Sequence, residues 1–258
     1  MQRTTSLWLR VGAAAVHLYT ASGAVLAFLI VLAAMERHTV TALWLGLVAL
    51  IVDSTDGTLA RRFRVSETLP WFDGRRLDDI VDYLTYVFAP MLLLWSAGYL
   101  PPGATGAVFA ALPLLASSYQ FCRVDAKTED HFFLGFPSYW NIVAFYAIVF
   151  ALSPAVVGAI LLICSLLVFV PIRYVYPSRT VAFRMVTATL TLLWMAAYVA
   201  ILLEMPAHNP LLGEFSLIYL LYYVGLSLYL TFKPCSRRTT GTPEVVADSR
   251  EGDLREAR

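Results

Sequence analysis

Apolar runs dominate the chain from its first turns to residue 232. Runs of about 20 residues suit a helix that crosses a bilayer, and eight can be drawn: 11–34, 40–61, 74–99, 103–123, 139–153, 155–174, 181–203 and 212–232. Prolines punctuate them at Pro101-Pro102, Pro137, Pro154, Pro177, Pro206 and Pro210, where a missing backbone donor ends or interrupts a helix. The fifth run is short. No period typical of stacked repeats recurs, which excludes a solenoid. The pattern predicts an all-α polytopic membrane protein of about eight transmembrane helices, with one membrane-embedded domain over residues 1–233. Beyond Pro234 the chain turns to Thr, Gly, Arg and Glu, a composition that cannot bury a core, so 234–258 is expected to be a disordered tail.

Composition sharpens that picture. Hydrophobic residues make up 59% and charged residues 14% of the 258, against about 25% charged in soluble domains. The net charge of +1 says little, but its placement says more. With eight spans, every Lys and Arg except Arg37 falls on one face, that is 18 of 19. Basic loops stay inside, so both termini and the acidic stretch at 53–82 are expected on the cytoplasmic side. The run at 11–34 is too long for a signal-peptide core of about 7–15 residues. Cys122, Cys164 and Cys235 form no CxxC and fit neither a disulfide framework nor a zinc site. No nucleophile elbow, phosphate-binding glycine loop or HExxH zinc motif occurs, nor any nucleic-acid-binding module.

One polar stretch interrupts this apolar background. Asp53 and Asp56 stand three residues apart, Asp78 and Asp82 four apart, so each pair shares a helix face. Both pairs adjoin membrane-type runs, where acidic groups are rare and read by default as a site. Clustered carboxylates need cations among them, and oxygen donors suit a hard ion such as Mg2+. Gly57 and Ala60 leave room beside the acids, Arg61 could fork onto phosphate oxygens, and Gly74 precedes Asp78 by one turn. Together they suggest a pyrophosphate-bearing substrate.

The order Asp53-x-x-Asp56-Gly57-x-x-Ala60-Arg61, then Gly74-x-x-x-Asp78-x-x-x-Asp82, resembles the signature of the CDP-alcohol phosphotransferases. These integral membrane enzymes make phospholipids from a CDP-linked alcohol and a second alcohol. Twelve residues separate Arg61 from Gly74, a longer spacer than most of the family has. With HLYTASG at 17–23 and DAKTEDHFFLGFPSYWN at 125–141, it resembles the bacterial branch that makes phosphatidylcholine. The resemblance implies transfer of a phosphatidyl group from CDP-diacylglycerol to choline, with release of CMP. It further implies Mg2+ or Mn2+, two ions by expectation, on Asp53, Asp56, Asp78 and Asp82, with Asp82 also the base. Gly57, Ala60, Arg61 and Gly74 would receive the CDP moiety, with Thr20, beside His17, near the nucleotide. Arg123 and Lys127 are candidates for the lipid phosphate.

Choline's quaternary ammonium donates no hydrogen bond and calls for aromatic faces. Tyr86, Tyr119, Tyr139 and Trp140 are the candidates, each equally readable as an interfacial aromatic. Two other readings stay open: the same chemistry with serine, glycerol phosphate, an inositol phosphate or a lipid as acceptor, and a cation- or proton-coupled transporter. Membrane lipids and a second copy of the chain complete the expected partners. Nucleic acid is not among them.

Overall fold

The computed structural model describes residues 6–128, 130–177, 180–207 and 209–233. Glu129, Arg179, Cys235 and the tail expected to be disordered lie outside the described residues. Five helices are long and apolar enough to cross a membrane: α1 (Leu7–Met35), α2 (Thr39–Arg62), α6 (Ala104–Cys122), α9 (Arg184–Glu204) and α10 (Pro210–Phe232). After the single turn α3 (Val65–Thr68), a further crossing-length run is continuous over 74–96. It joins α4 (Gly74–Asp82), a π-helical turn (Tyr83–Phe88) and α5 (Ala89–Ser96). Two shorter helices, α7 (Trp140–Val149) and α8 (Pro154–Leu167), complete the helical set. Every expected apolar run thus appears as helix, and the chain is a multi-pass membrane protein.

Local chemistry sets the boundaries. The Asp73 carboxylate accepts from the backbone N–H of Arg75 and Arg76, both at 3.1 Å, which starts α4 at Gly74. Asn209 caps α10 through Leu211 N–H at 3.0 Å, and Pro210 occupies the first turn, where its missing donor costs nothing. The π-helical turn has a comparable cause. Pro90 cannot donate to Tyr86 O, and its ring crowds that carbonyl, so the ladder widens by one residue just before it.

One expectation is corrected. The sixth run was drawn as helical to residue 174, but α8 stops at Leu167 and the chain becomes strand β2 at Arg173–Val175. That strand pairs antiparallel with β1, Phe132–Leu134, in the register Phe132 to Val175 and Leu134 to Arg173. Gly135 follows β1 at φ +83°, and a Cβ there would stand 2.2 Å from Val168 O. Only glycine lets the two segments meet so closely.

The core lies between the helices. Leu47, Phe145 and Ile201 are fully buried in one cluster, and Val87, Leu94, Trp140 and Leu161 in a second. The rings of Phe145 and Tyr198 stack at 3.7 Å. A buried polar chain ties α7, α9 and α10, with Trp194 Nε1–H donating to Tyr146 Oη and Tyr146 bonded to Ser216, both at 2.9 Å. Outward faces are as apolar as the core: Leu18, Leu192, Leu221 and Phe232 are all more than 70% exposed. That inversion suits lipid as the surrounding solvent.

Candidate functional site

Helix α1 runs antiparallel to α2, as Gly12 near its start meets Phe63 just past the end of α2. Gly74, opening α4, packs on His17 of α1, where a Cβ would meet the imidazole at 2.8 Å. The small residues at 12 and 74 therefore bring α1, α2 and α4 together at one end. At that same end lie Arg10, Arg61, Arg75 and Arg123, while Arg37 sits in the α1–α2 turn at the other.

There the acidic motif closes up. Asp53 on α2 and Asp78 and Asp82 on α4 each offer a carboxylate oxygen, and the three oxygens lie within 4.8 Å of one another. Such an all-oxygen donor set fits a hard divalent ion such as Mg2+ or Mn2+. Asp56 stands outside that trio and is buried. It accepts a hydrogen bond from Thr20 Oγ1 at 2.7 Å. Thr20 thereby acts on Asp56, holding its orientation from α1. Asp53 is held from the other side: Tyr86 Oη–H donates to its Oδ2 at 2.5 Å. The π-helical turn carries Tyr86 and follows Asp82 directly, so the backbone irregularity sits at the site.

All of these except Asp82, which sits beside Asp53 and Asp78 without lining it, form one end of a cleft of about 1300 Å³. Asp53, Asp56, Gly57, Ala60, Gly74 and Asp78 line it, as do Arg61, Thr20 and His17. Arg61 is anchored through Nη2–H to Thr58 Oγ1 at 2.9 Å, and a Cβ at Gly57 would lie 3.5 Å from its Nη1. The guanidinium thus lies along the clearance that the glycine leaves.

The loop before β1 adds the one cation closest to the acids. Lys127 Nζ lies 3.5 Å from Asp79 Oδ1. Burial alone would lower its pKa, but the pull of Asp79, Asp78, Tyr176 and Asp82 outweighs it and holds the ammonium above its ordinary value. Arg123, paired with Lys127 in expectation, is placed elsewhere. Its Nε and Nη2 both reach Asp125 at 2.7 Å, holding that carboxyl below its usual range, and it does not line the cleft.

The aromatic candidates divide the same way. Tyr86 and Tyr139 line the cleft, with ring centroids 6.3 Å apart and nearly perpendicular. Tyr119 and Trp140 do not line it. Tyr119 packs outside on Phe169 at 5.0 Å and under Arg123. Trp140 is fully buried and spends its N–H on Ser117 Oγ at 2.7 Å. Four residues that sequence reasoning passed over also line the cleft: Tyr176, Trp194, Tyr219 and Tyr223. They come from α9, α10 and the segment after β2, and no fixed spacing relates them. The signal that could have found them is thin: buried-type aromatics on helices otherwise facing lipid.

With the geometry in hand, the comparisons are specific. The family whose profile matches is described as CDP-alcohol phosphatidyltransferase, over residues 15–230. The chain is similar to a phosphatidylcholine synthase of Legionella bozemanae, 40% identical over 77% of this chain and 94% of that one. It is 38% identical to the Pseudomonas aeruginosa phosphatidylcholine synthase over 83% and 90%. With the Borreliella burgdorferi protein of the same name it shares 34% over 86% and 95%.

Proposed function

The chain belongs to the CDP-alcohol phosphatidyltransferase family, and from that membership we propose that it moves the phosphatidyl group of CDP-diacylglycerol onto choline, giving phosphatidylcholine and CMP. The reaction class is carried by one observation, the convergence of Asp53, Asp78 and Asp82, the first two lining a cleft, in a membrane protein of this family. Choline is taken as acceptor because the similar proteins are phosphatidylcholine synthases.

Divalent ions held by Asp53, Asp56, Asp78 and Asp82, two by our reading, would supply charge neutralisation at the diphosphate and at the departing CMP oxygen. The chain's own residues do the rest. Gly57, Ala60 and Gly74 let the nucleotide approach the backbone, and Arg61 forks onto phosphate oxygens. Thr20 and Tyr86 fix the carboxylates of Asp56 and Asp53 before substrate arrives, so no reorganisation is needed at the moment of reaction. Asp82 accepts the choline hydroxyl proton as the oxygen attacks phosphorus. Lys127 balances the acidic cluster through Asp79. Ile51 and Leu192 line the cleft while remaining exposed on the lipid side, so the acyl chains can stay in the bilayer. The basic end is assigned to the cytoplasmic side of the inner membrane.

The test is direct. Purified protein is incubated with CDP-diacylglycerol, a divalent salt and a panel of alcohols, and CMP and lipid products are identified by mass. Phosphatidylcholine formed only with choline is the expected result. A product from serine or glycerol phosphate instead overturns the acceptor, and full activity in a chelator overturns the metal.

A further inference from the structure

The cleft is chemically two-sided. Its cationic lining residues, Arg61, Arg64 and Arg75, all come from the segment after the first aspartate pair. Tyr139, Tyr176, Trp194, Tyr219 and Tyr223 form a second part of the lining, and among the described residues that α7, α9, α10 and the segment after β2 give to the cleft none is charged. Tyr139 lies at its centre, 6.3 Å from the Tyr86 ring, 6.4 Å from Phe133 and 6.2 Å from Tyr223. It is within electrostatic reach of Asp53 and Asp82. The wall therefore lies near the carboxylate assigned as base, which does not itself line the cleft.

Most polar groups on that wall are already satisfied within the protein. The Tyr86 hydroxyl serves Asp53, the Tyr219 hydroxyl bonds Thr191 at 2.9 Å, and the Trp194 N–H serves Tyr146. Tyr223 also lines the cleft, and its buried hydroxyl lies beside that of Tyr139. Among the described residues that part of the lining offers ring faces and no cation, and the ammonium within electrostatic reach of Tyr176, that of Lys127, is engaged by Asp79.

Resting on the choline reading above, we propose that the rings of Tyr139 and Tyr223, with Tyr86 beside them, are the seat of the acceptor's quaternary ammonium and determine acceptor specificity. The trimethylammonium group sits against these faces while the hydroxyl end of the same small molecule reaches Asp82. No described lining residue of the seat is charged and Lys127 is taken up by Asp79, so the seat favours choline over serine, with its carboxylate, and over glycerol phosphate.

The experiment measures KM for choline and for CDP-diacylglycerol separately, and inhibition by 3,3-dimethylbutan-1-ol, the neutral isostere of choline. A ring contributes enough cation–π attraction that Tyr139→Leu and Tyr223→Leu should each raise the choline KM about tenfold. The CDP-diacylglycerol KM should stay within about twofold, well below one ring's contribution. In the wild type the isostere should bind far more weakly than choline, and the gap should shrink in both variants. Tyr139→Phe, which keeps the ring, should restore the choline KM. Tyr119→Leu, outside the cleft, should not move it. An unshifted choline KM in both leucine variants, or an unchanged gap to the isostere, overturns the seat while leaving the reaction standing. Absence of any product from choline with the wild type sinks the acceptor assignment and the seat with it.

Discussion

The two walls of the cleft are built in opposite ways. The acidic and basic wall comes from one stretch of chain, residues 53–78, folded back on α1 by close contacts at Gly12 and Gly74. The aromatic wall is gathered from α7, α9, α10 and the segment after β2. Chemistry that must be placed to within a fraction of an ångström is put on two adjacent helices, with its geometry set by helical spacing. A site for a soft, non-donating cation needs only ring faces at contact distance, and several helices can share that work. The difference suggests which wall tolerates change: substitutions on the first should abolish turnover, those on the second should shift affinity.

Asp82→Asn gives the largest expected effect. It removes the proton acceptor while keeping the side-chain volume, so kcat should fall by about 10²–10⁴-fold. CDP-diacylglycerol binding should be largely retained. Undiminished CMP release would break the base assignment and with it the idea that the first wall holds the chemistry. Tyr86→Phe comes next and sharpens the comparison, because Tyr86 belongs to both walls. The variant loses a hydrogen bond to a carboxylate but keeps its ring. A bond of that kind is worth enough for kcat to fall about tenfold, while the choline KM changes little. A choline KM that rises as much as kcat falls would show that the hydroxyl, not the ring, is what the acceptor meets.

The same contrast explains what was legible beforehand. The acid pairs, Arg61 and the clearance residues could be read because a helix converts spacing of three and four into proximity, and the apolar flanks placed them in a membrane. Spacing paired Asp53 with Asp56 and Asp78 with Asp82, with both pairs expected at one shared pocket; Asp53, Asp78 and Asp82 do meet across two helices, and Asp56 is bonded to Thr20. The helices themselves were legible from apolar run length and proline punctuation. Three-residue strands were not, since Phe132–Leu134 and Arg173–Val175 have no pattern of their own and exist because they pair. Nor was the aromatic wall, because Tyr119 and Tyr223 look alike in sequence until the helices are packed. One ends up against Phe169 and the other in the cleft.

The smallest effect tests how the aromatic wall is anchored. The short β1–β2 pair leads into Tyr176 on one strand and towards Tyr139 on the other. Besides its backbone ladder it is clamped by Arg173, which pairs with Asp130 and lies 4.3 Å from the Phe132 ring centre. Burial alone would raise the Asp130 pKa, but hydrogen bonds from Thr128 and Arg173 outweigh it and hold the carboxyl below its ordinary value. A depressed carboxylate contributes stability at pH values above its unfolded pKa, and that contribution is lost as pH falls through the folded one. The pair is largely exposed, so Arg173→Gln should lower the thermal midpoint in detergent by only a few degrees near neutral pH, in keeping with the small worth of solvated ion pairs. The gap between wild type and variant should narrow as pH drops into the carboxylate range, leaving the ring contact as the remainder. If the clamp positions the wall, the variant should also raise the choline KM slightly while kcat holds. A fall in kcat at unchanged choline KM would instead mean that the strand pair supports the acidic wall, through Lys127 and Asp79, and the division drawn between the two walls would fail.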